Sequence, residues 1–111
     1  MRRSIFAALF ALAACRPSLS TPVSCPDAGT TLTYESFGAD FMTGYCIACH
    51  GNSRIEKGVD LTTAAGIAAH RSAIVNEVGG GSMPPTGSPA PTDAERAQIV
   101  EWLGCSPAAG N

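Results

Sequence analysis

Charge is scarce in this chain: of its 111 residues only 14% are Asp, Glu, Lys or Arg, and no run gathers them by sign. Without a basic stretch there is nothing to track a nucleic-acid backbone, so that class of partner is excluded. Histidine is scarcer still, limited to His50 and His70. No acid–base pair for bond chemistry stands out, which argues against an enzyme. There is no glycine-rich phosphate loop, no internal repeat and no strand–helix–strand alternation. The longest apolar run, Ile5 to Ala14, is too short to span a bilayer, and no second candidate span follows it. A chain of this length makes one small domain.

What is present begins at the N-terminus. Arg2 and Arg3 precede the apolar run, which ends in Leu12-Ala13-Ala14-Cys15. The pattern suits an export signal and resembles a bacterial lipoprotein lipobox. That resemblance implies cleavage after residues 1–14, lipid on Cys15, and a home on the periplasmic face of the bacterial cell envelope. More than one acyl chain there would give stable membrane anchoring. Cleavage removes two bases and no acid, so the mature chain is more anionic than the formal −2 of the whole sequence. An anionic carrier favours a partner with a basic docking patch.

The centre of the chain is Cys46-Ile47-Ala48-Cys49-His50-Gly51. Two cysteines two residues apart, with histidine directly after the second, read as a c-type haem attachment site. Each thiol can add to one vinyl group, and one helical turn carries the histidine under the iron as proximal ligand. The competing readings of Cys-x-x-Cys are a redox disulfide and a zinc site. A thioredoxin-like reductase needs βαβ signals that are missing here.

With Cys15 lipidated and Cys46 and Cys49 on haem, Cys25 and Cys105 are left. In an oxidising compartment a leftover pair usually bridges; the alternative is two structural thiols. Residues 15–31, with Pro17, Pro22 and Pro26, read as a lipidated cysteine and flexible tether. From Thr33, a candidate cap, Tyr34, Phe37, Phe41 and Tyr45 fall on one helical face, and Gly38 near it invites a close helix contact. The far ring nitrogen of His50 needs an acceptor, for which a backbone carbonyl between Gly58 and Asp60 is expected. A second helical region starts at Thr62 or Thr63, breaks near Ala69-His70 and stops at Gly79-Gly80-Gly81. Gly79 to Pro91 is irregular, and its one strongly apolar side chain is Met83, followed by Pro84-Pro85. A lone methionine in such a loop is ordinarily surface; downstream of a haem motif, its soft sulfur suits the iron opposite histidine. Thr92 to Glu95 is a capping box opening a last helix with Ile99, Trp102 and Leu103 buried and Gly104 as its stop. Residues 106–111 read as a disordered tail.

In this order the elements resemble a mono-haem class I cytochrome c over roughly Thr33 to Cys105. The resemblance implies an all-α, cytochrome c-like bundle of about three to five short helices packed around one covalently bound haem, with residues 32–105 as the domain. It implies thioethers from Cys46 and Cys49, proximal His50, distal Met83, and a crossing of first and last helices near Gly38, Phe37 or Phe41, Trp102 and Leu103. Leu61, Ile67, Ile74, Trp102 and Leu103 are expected haem-wall residues, whereas Arg54, Lys57 and Arg71 are expected to be ordinary surface cations rather than propionate partners.

The leading functional expectation is a membrane-tethered electron carrier serving a respiratory donor or an oxidase or reductase acceptor, not an enzyme. The alternative is a peroxidase-like haem enzyme or gas sensor with a displaceable distal ligand, for which His70 is the sole spare imidazole.

Overall fold

A computed structural model of the chain describes residues 19–106. The signal-peptide reading of residues 1–14, lipidation at Cys15, and residues 107–111 lie outside the described residues.

The chain enters its domain through a wide π-helical turn, Tyr34–Gly38, in which Phe37 N and Gly38 N both donate to Thr33 O at 3.1 Å. Thr33 and Ser36 cap each other there: Ser36 N donates to Thr33 Oγ1 at 3.0 Å and Thr33 N to Ser36 Oγ at 2.9 Å. Helix α1 (Ala39–Tyr45) continues from it, and α2 (Ile47–His50) follows after a break at Cys46, φ −121°. A two-residue strand, β1 (Arg54–Ile55), folds back on His50 and Gly51, and a 3-10 turn, Glu56–Gly58, follows. Helix α3 (Ala64–Ala69) is capped by Thr63 and parts from α4 (Arg71–Gly79) at His70, φ −107° and ψ 12°. After an irregular stretch, α5 (Asp93–Cys105) closes the domain behind the Thr92/Glu95 capping box. The described residues thus hold five α-helices, all short.

One core joins them. Phe41, Met42, Cys46, Leu61, Ile67, Ile74, Val75, Val78, Ile99, Trp102 and Leu103 are all buried in a single cluster. The last helix crosses the first at Gly38, where an added Cβ would sit 2.4 Å from Trp102 Cη2. Tyr34 and Phe37 flank the indole at centroid distances of 6.4 and 6.2 Å, and Phe41 and Tyr45 extend the aromatic row. The expected aromatic stripe lies along one side of this core. Of its four members only Phe41 is fully buried, and the inward line runs Gly38, Met42, Cys46. This i, i+4, i+8 row enters the core, with Gly38 against Trp102 and the aromatics packed along its flank.

Three expectations are corrected. Residues 20–31 are no flexible tether: Asn76 Oδ1 accepts from Ser20 N and Thr21 N at 2.8 and 3.1 Å, and Thr30 Oγ1 donates to Glu101 at 2.8 Å. The same segment is pinned by the Cys25–Cys105 disulfide, across a sequence separation of 80, a loop worth about 4–5 kcal/mol in the chain-entropy model. Gly104 does not stop α5, which runs to Cys105; it makes room for Val23, whose Cγ1 would lie 2.5 Å from an added Cβ. Ser106 does not belong to a loose tail, being 5% exposed with its N–H on Trp102 O.

Gly38 and Gly44 lie one on each side of this argument. Gly38→Ala gains about 1 kcal/mol of helix propensity but forces a methyl into a fully buried indole, at about 1–3 kcal/mol. It should lower the urea midpoint of the haem-loaded protein. Gly44→Ala, with nothing within 4 Å of its added Cβ, should raise it. Two shifts of the same sign would contradict the packing account.

Candidate haem site

Three of the four expected cofactor residues occupy one helical turn. His50 N and Cys49 N donate to Cys46 O at 2.9 and 3.2 Å, so Cys46 caps the turn that carries the other two. Cys46 and Cys49 are free thiols, in contrast to Cys25 and Cys105. Burial pushes the Cys46 thiol up to about 12. A thiol–disulfide enzyme works through a stabilised thiolate, and this environment does the reverse. A neutral, core-facing thiol suits a lasting bond to an apolar ring edge.

His50 is oriented through its far nitrogen. Nδ1 lies 3.2 Å from Val59 O, inside the expected Gly58 to Asp60 window. A proton on Nδ1 donated to that carbonyl leaves the Nε2 lone pair free for a metal. The carbonyl is itself held. Leu61 N donates to His50 O at 2.8 Å and Val59 N to Glu56 O at 3.1 Å. Asp60 accepts from Thr62 N and Thr62 Oγ1 at 2.9 and 2.6 Å, bonds that keep its carboxyl below the usual carboxylate range. Lys57 takes a left-handed backbone, φ 53°, to let the chain turn toward Val59. Gly51 permits the tight exit from the motif: an added Cβ would lie 2.4 Å from Ile47 Cγ2.

Met83 comes from elsewhere, the irregular stretch between α4 and α5, and it is 36% exposed. Its backbone is bonded on both sides, Met83 N to Glu77 O at 3.0 Å and Met83 O to Arg96 Nη1 at 2.8 Å. The structure therefore gathers Cys46, Cys49 and His50, and presents Met83 on a separate, anchored loop. Leu61, Ile67, Ile74, Trp102 and Leu103, the expected wall, are buried in the same cluster as Cys46. Arg71 closes the end of α5 by donating to Leu103 O and, at 3.3 Å, Gly104 O. Arg54 pairs with Glu56 at the surface, and Lys57 is exposed. His70 is half-buried at the α3–α4 break.

This donor set fits a covalently held haem: two unpaired thiols and an imidazole with one nitrogen committed, on one turn whose first thiol, Cys46, sits in the apolar cluster. Sequence comparison agrees. The chain belongs to the family described as cytochrome C oxidase, cbb3-type, subunit III, whose model matches residues 36–103. No curated protein and no solved structure matches it significantly. The match encloses Cys46, Cys49, His50 and Met83. It makes the chain a small c-type cytochrome, an all-α domain carrying covalent haem c for electron transfer.

Behind the site, Glu95 ties α5 to α1. It accepts from Thr92 N at 2.8 Å and Tyr45 Oη at 2.9 Å, bonds that hold its carboxyl below the ordinary value. A depressed folded-state pKa contributes stability above the unfolded value, about 4.3, and loses it as pH falls through the folded one. The stability gap between native protein and Glu95→Gln should therefore be widest near neutrality and shrink on acidification below about pH 4. Urea unfolding at a series of pH values would show this; a constant gap would mean the carboxylate's charge contributes nothing.

Proposed function

We propose that this chain is a membrane-tethered periplasmic electron carrier whose single haem c takes His50 and Met83 as axial ligands. The observation that carries the reading is the commitment of His50 Nδ1 to Val59 O on the very turn that bears both thiols. Haem c supplies a one-electron iron couple. Cys46, Cys49, His50 and Met83 would hold it, and the buried Leu61, Ile67 and Ile74 would supply apolar wall. With both donors bound no coordination position stays open, so the oxidised and reduced forms share one ligand set.

Tethering rests on the lipobox at Cys15. The docked segment begins at Ser20, and extended chain from Cys15 to Ser20 spans at most ~18 Å, which would keep the domain close to the membrane surface. The family and the anionic mature chain support a respiratory partner, donor or oxidase, with a basic docking patch.

A second reading draws on one observation. Met83 is partly exposed and follows three glycines, so a displaceable ligand would turn the domain into a gas sensor or peroxidase-like enzyme.

The deciding experiment exports the full chain with the haem-attachment machinery. A haem-stained band on a denaturing gel, sharp low-spin reduced bands and the weak red ferric band of sulfur ligation are expected. Met83→Ala should keep the stain, lose the red band and make the reduced protein bind carbon monoxide readily at neutral pH. Rapid carbon monoxide binding by the unaltered protein would support the second reading instead. Cys15→Ser should release the domain from the membrane fraction.

A further inference from the structure

We infer that Arg96 is the positioning residue for Met83, a guanidinium clamp that fixes the distal-ligand loop to the ends of α4 and α5. The inference rests on the reading of Met83 as an axial ligand and adds the residue through which the fold holds it.

The loop needs such a device. It leaves α4, whose last residue is Gly79, through Gly80 and Gly81, the second at φ 87°, and glycine has wide backbone freedom. A thioether presented from so free a segment would sample many positions, and each ordered residue costs conformational entropy. Both polar backbone groups of Met83 are nevertheless engaged. Its N–H reaches Glu77 O at 3.0 Å, a bond reinforced by Ser82 Oγ on the same carbonyl at 3.1 Å. Its carbonyl accepts from Arg96 Nη1 at 2.8 Å, and the same nitrogen donates to Val78 O at 2.7 Å. Val78 O lies in the last turn of α4 and also accepts from Gly81 N at 3.2 Å. One nitrogen thus joins the end of α4 to the ligand-bearing residue.

The clamp stands on a rigid base. Arg96 follows Glu95, which is fixed by Thr92 N and Tyr45 Oη, and Ile99 one turn later is fully buried. Charge-assisted bonds to carbonyls are stronger than neutral ones, and the planar guanidinium is pre-organised in a way that a lysine ammonium is not. A bare cap for α4 would need only the Val78 bond; the second bond, to Met83 O, is what makes Arg96 a positioning residue.

The test uses the haem-loaded full chain and the variants Arg96→Ala, Arg96→Lys and Met83→Ala. The red ferric band of sulfur ligation is followed against temperature and pH, carbon monoxide association is timed in the reduced protein, and far-UV circular dichroism reports global unfolding. Arg96→Ala should lose the red band well below its unfolding midpoint and bind carbon monoxide roughly ten-fold faster, the size expected for one lost charged hydrogen bond. Arg96→Lys should recover part of both and gives the same readouts should the alanine variant not accumulate. Unaltered band and rate, or a band lost only in step with unfolding, would overturn the clamp. Met83→Ala separates the two failures. A red band retained there overturns the ligand assignment and the inference with it, whereas native behaviour in Arg96→Ala overturns the clamp alone.

Discussion

The contact on which the rest of the structure depends is the face of Trp102 against the bare backbone of Gly38. It sets how closely α5 approaches the first helical segment. At that distance Met42 and Cys46, one and two turns on from Gly38, are carried into the core rather than to the surface. The break at Cys46 then redirects α2, so Cys49 and His50 leave the core while Cys46 stays in it. The helix crossing and the attachment turn are therefore one geometrical problem. A shift of the indole would move the thiol that anchors the cofactor.

A chain this short of charge uses its few ionic and amide groups on backbone ends. Arg71 takes the last carbonyls of α5, and Arg96 takes Val78 O and Met83 O. Glu95 takes the first N–H of its own helix cap together with Tyr45, and Asn76 takes two N–H groups of the entering strap. Each joins segments distant in sequence, and Arg71 and Arg96 do so at carbonyls near helix C-termini. Short helices need this. Of the five, only α5 exceeds three turns, and short isolated helices are marginal in water.

What was legible in the sequence is what local chemistry writes. The Cys-x-x-Cys-His spacing, the Thr92/Glu95 box, the Thr63 cap and the break at His70 depend on neighbours three or four residues away. The expected acceptor window for His50, Gly58 to Asp60, holds the Val59 carbonyl that lies at its Nδ1. Other features leave no periodic mark. Arg96 is one base on a helix until its partner eighteen residues earlier is known. Gly104 reads as a stop because glycine often ends helices, and only the strap shows that Val23 needs the space. The strap itself looks like linker, since Asn76 and the proline-bearing segment it holds are 55 residues apart. The aromatic row is legible from its helical spacing: its rings touch in succession and pack against the core, with Phe41 the one fully buried.

The strap also explains how so small a core stays closed. Residues 20–31 lie across α4 and α5, with Thr21 beside Gly79, Val23 on Gly104 and Cys25 bonded to Cys105. The family match covers residues 36–103, and the strap lies N-terminal to it. Its contacts fall on the two helices that Arg96 connects to the Met83 loop. Thr21 and Arg96 flank the same end of α4, one through Asn76 and Gly79, the other through Val78 O. The end of α4 is thereby held from both sides, and the two glycines that follow it, Gly80 and Gly81, can give the loop its turn without loosening the helix from which the loop departs.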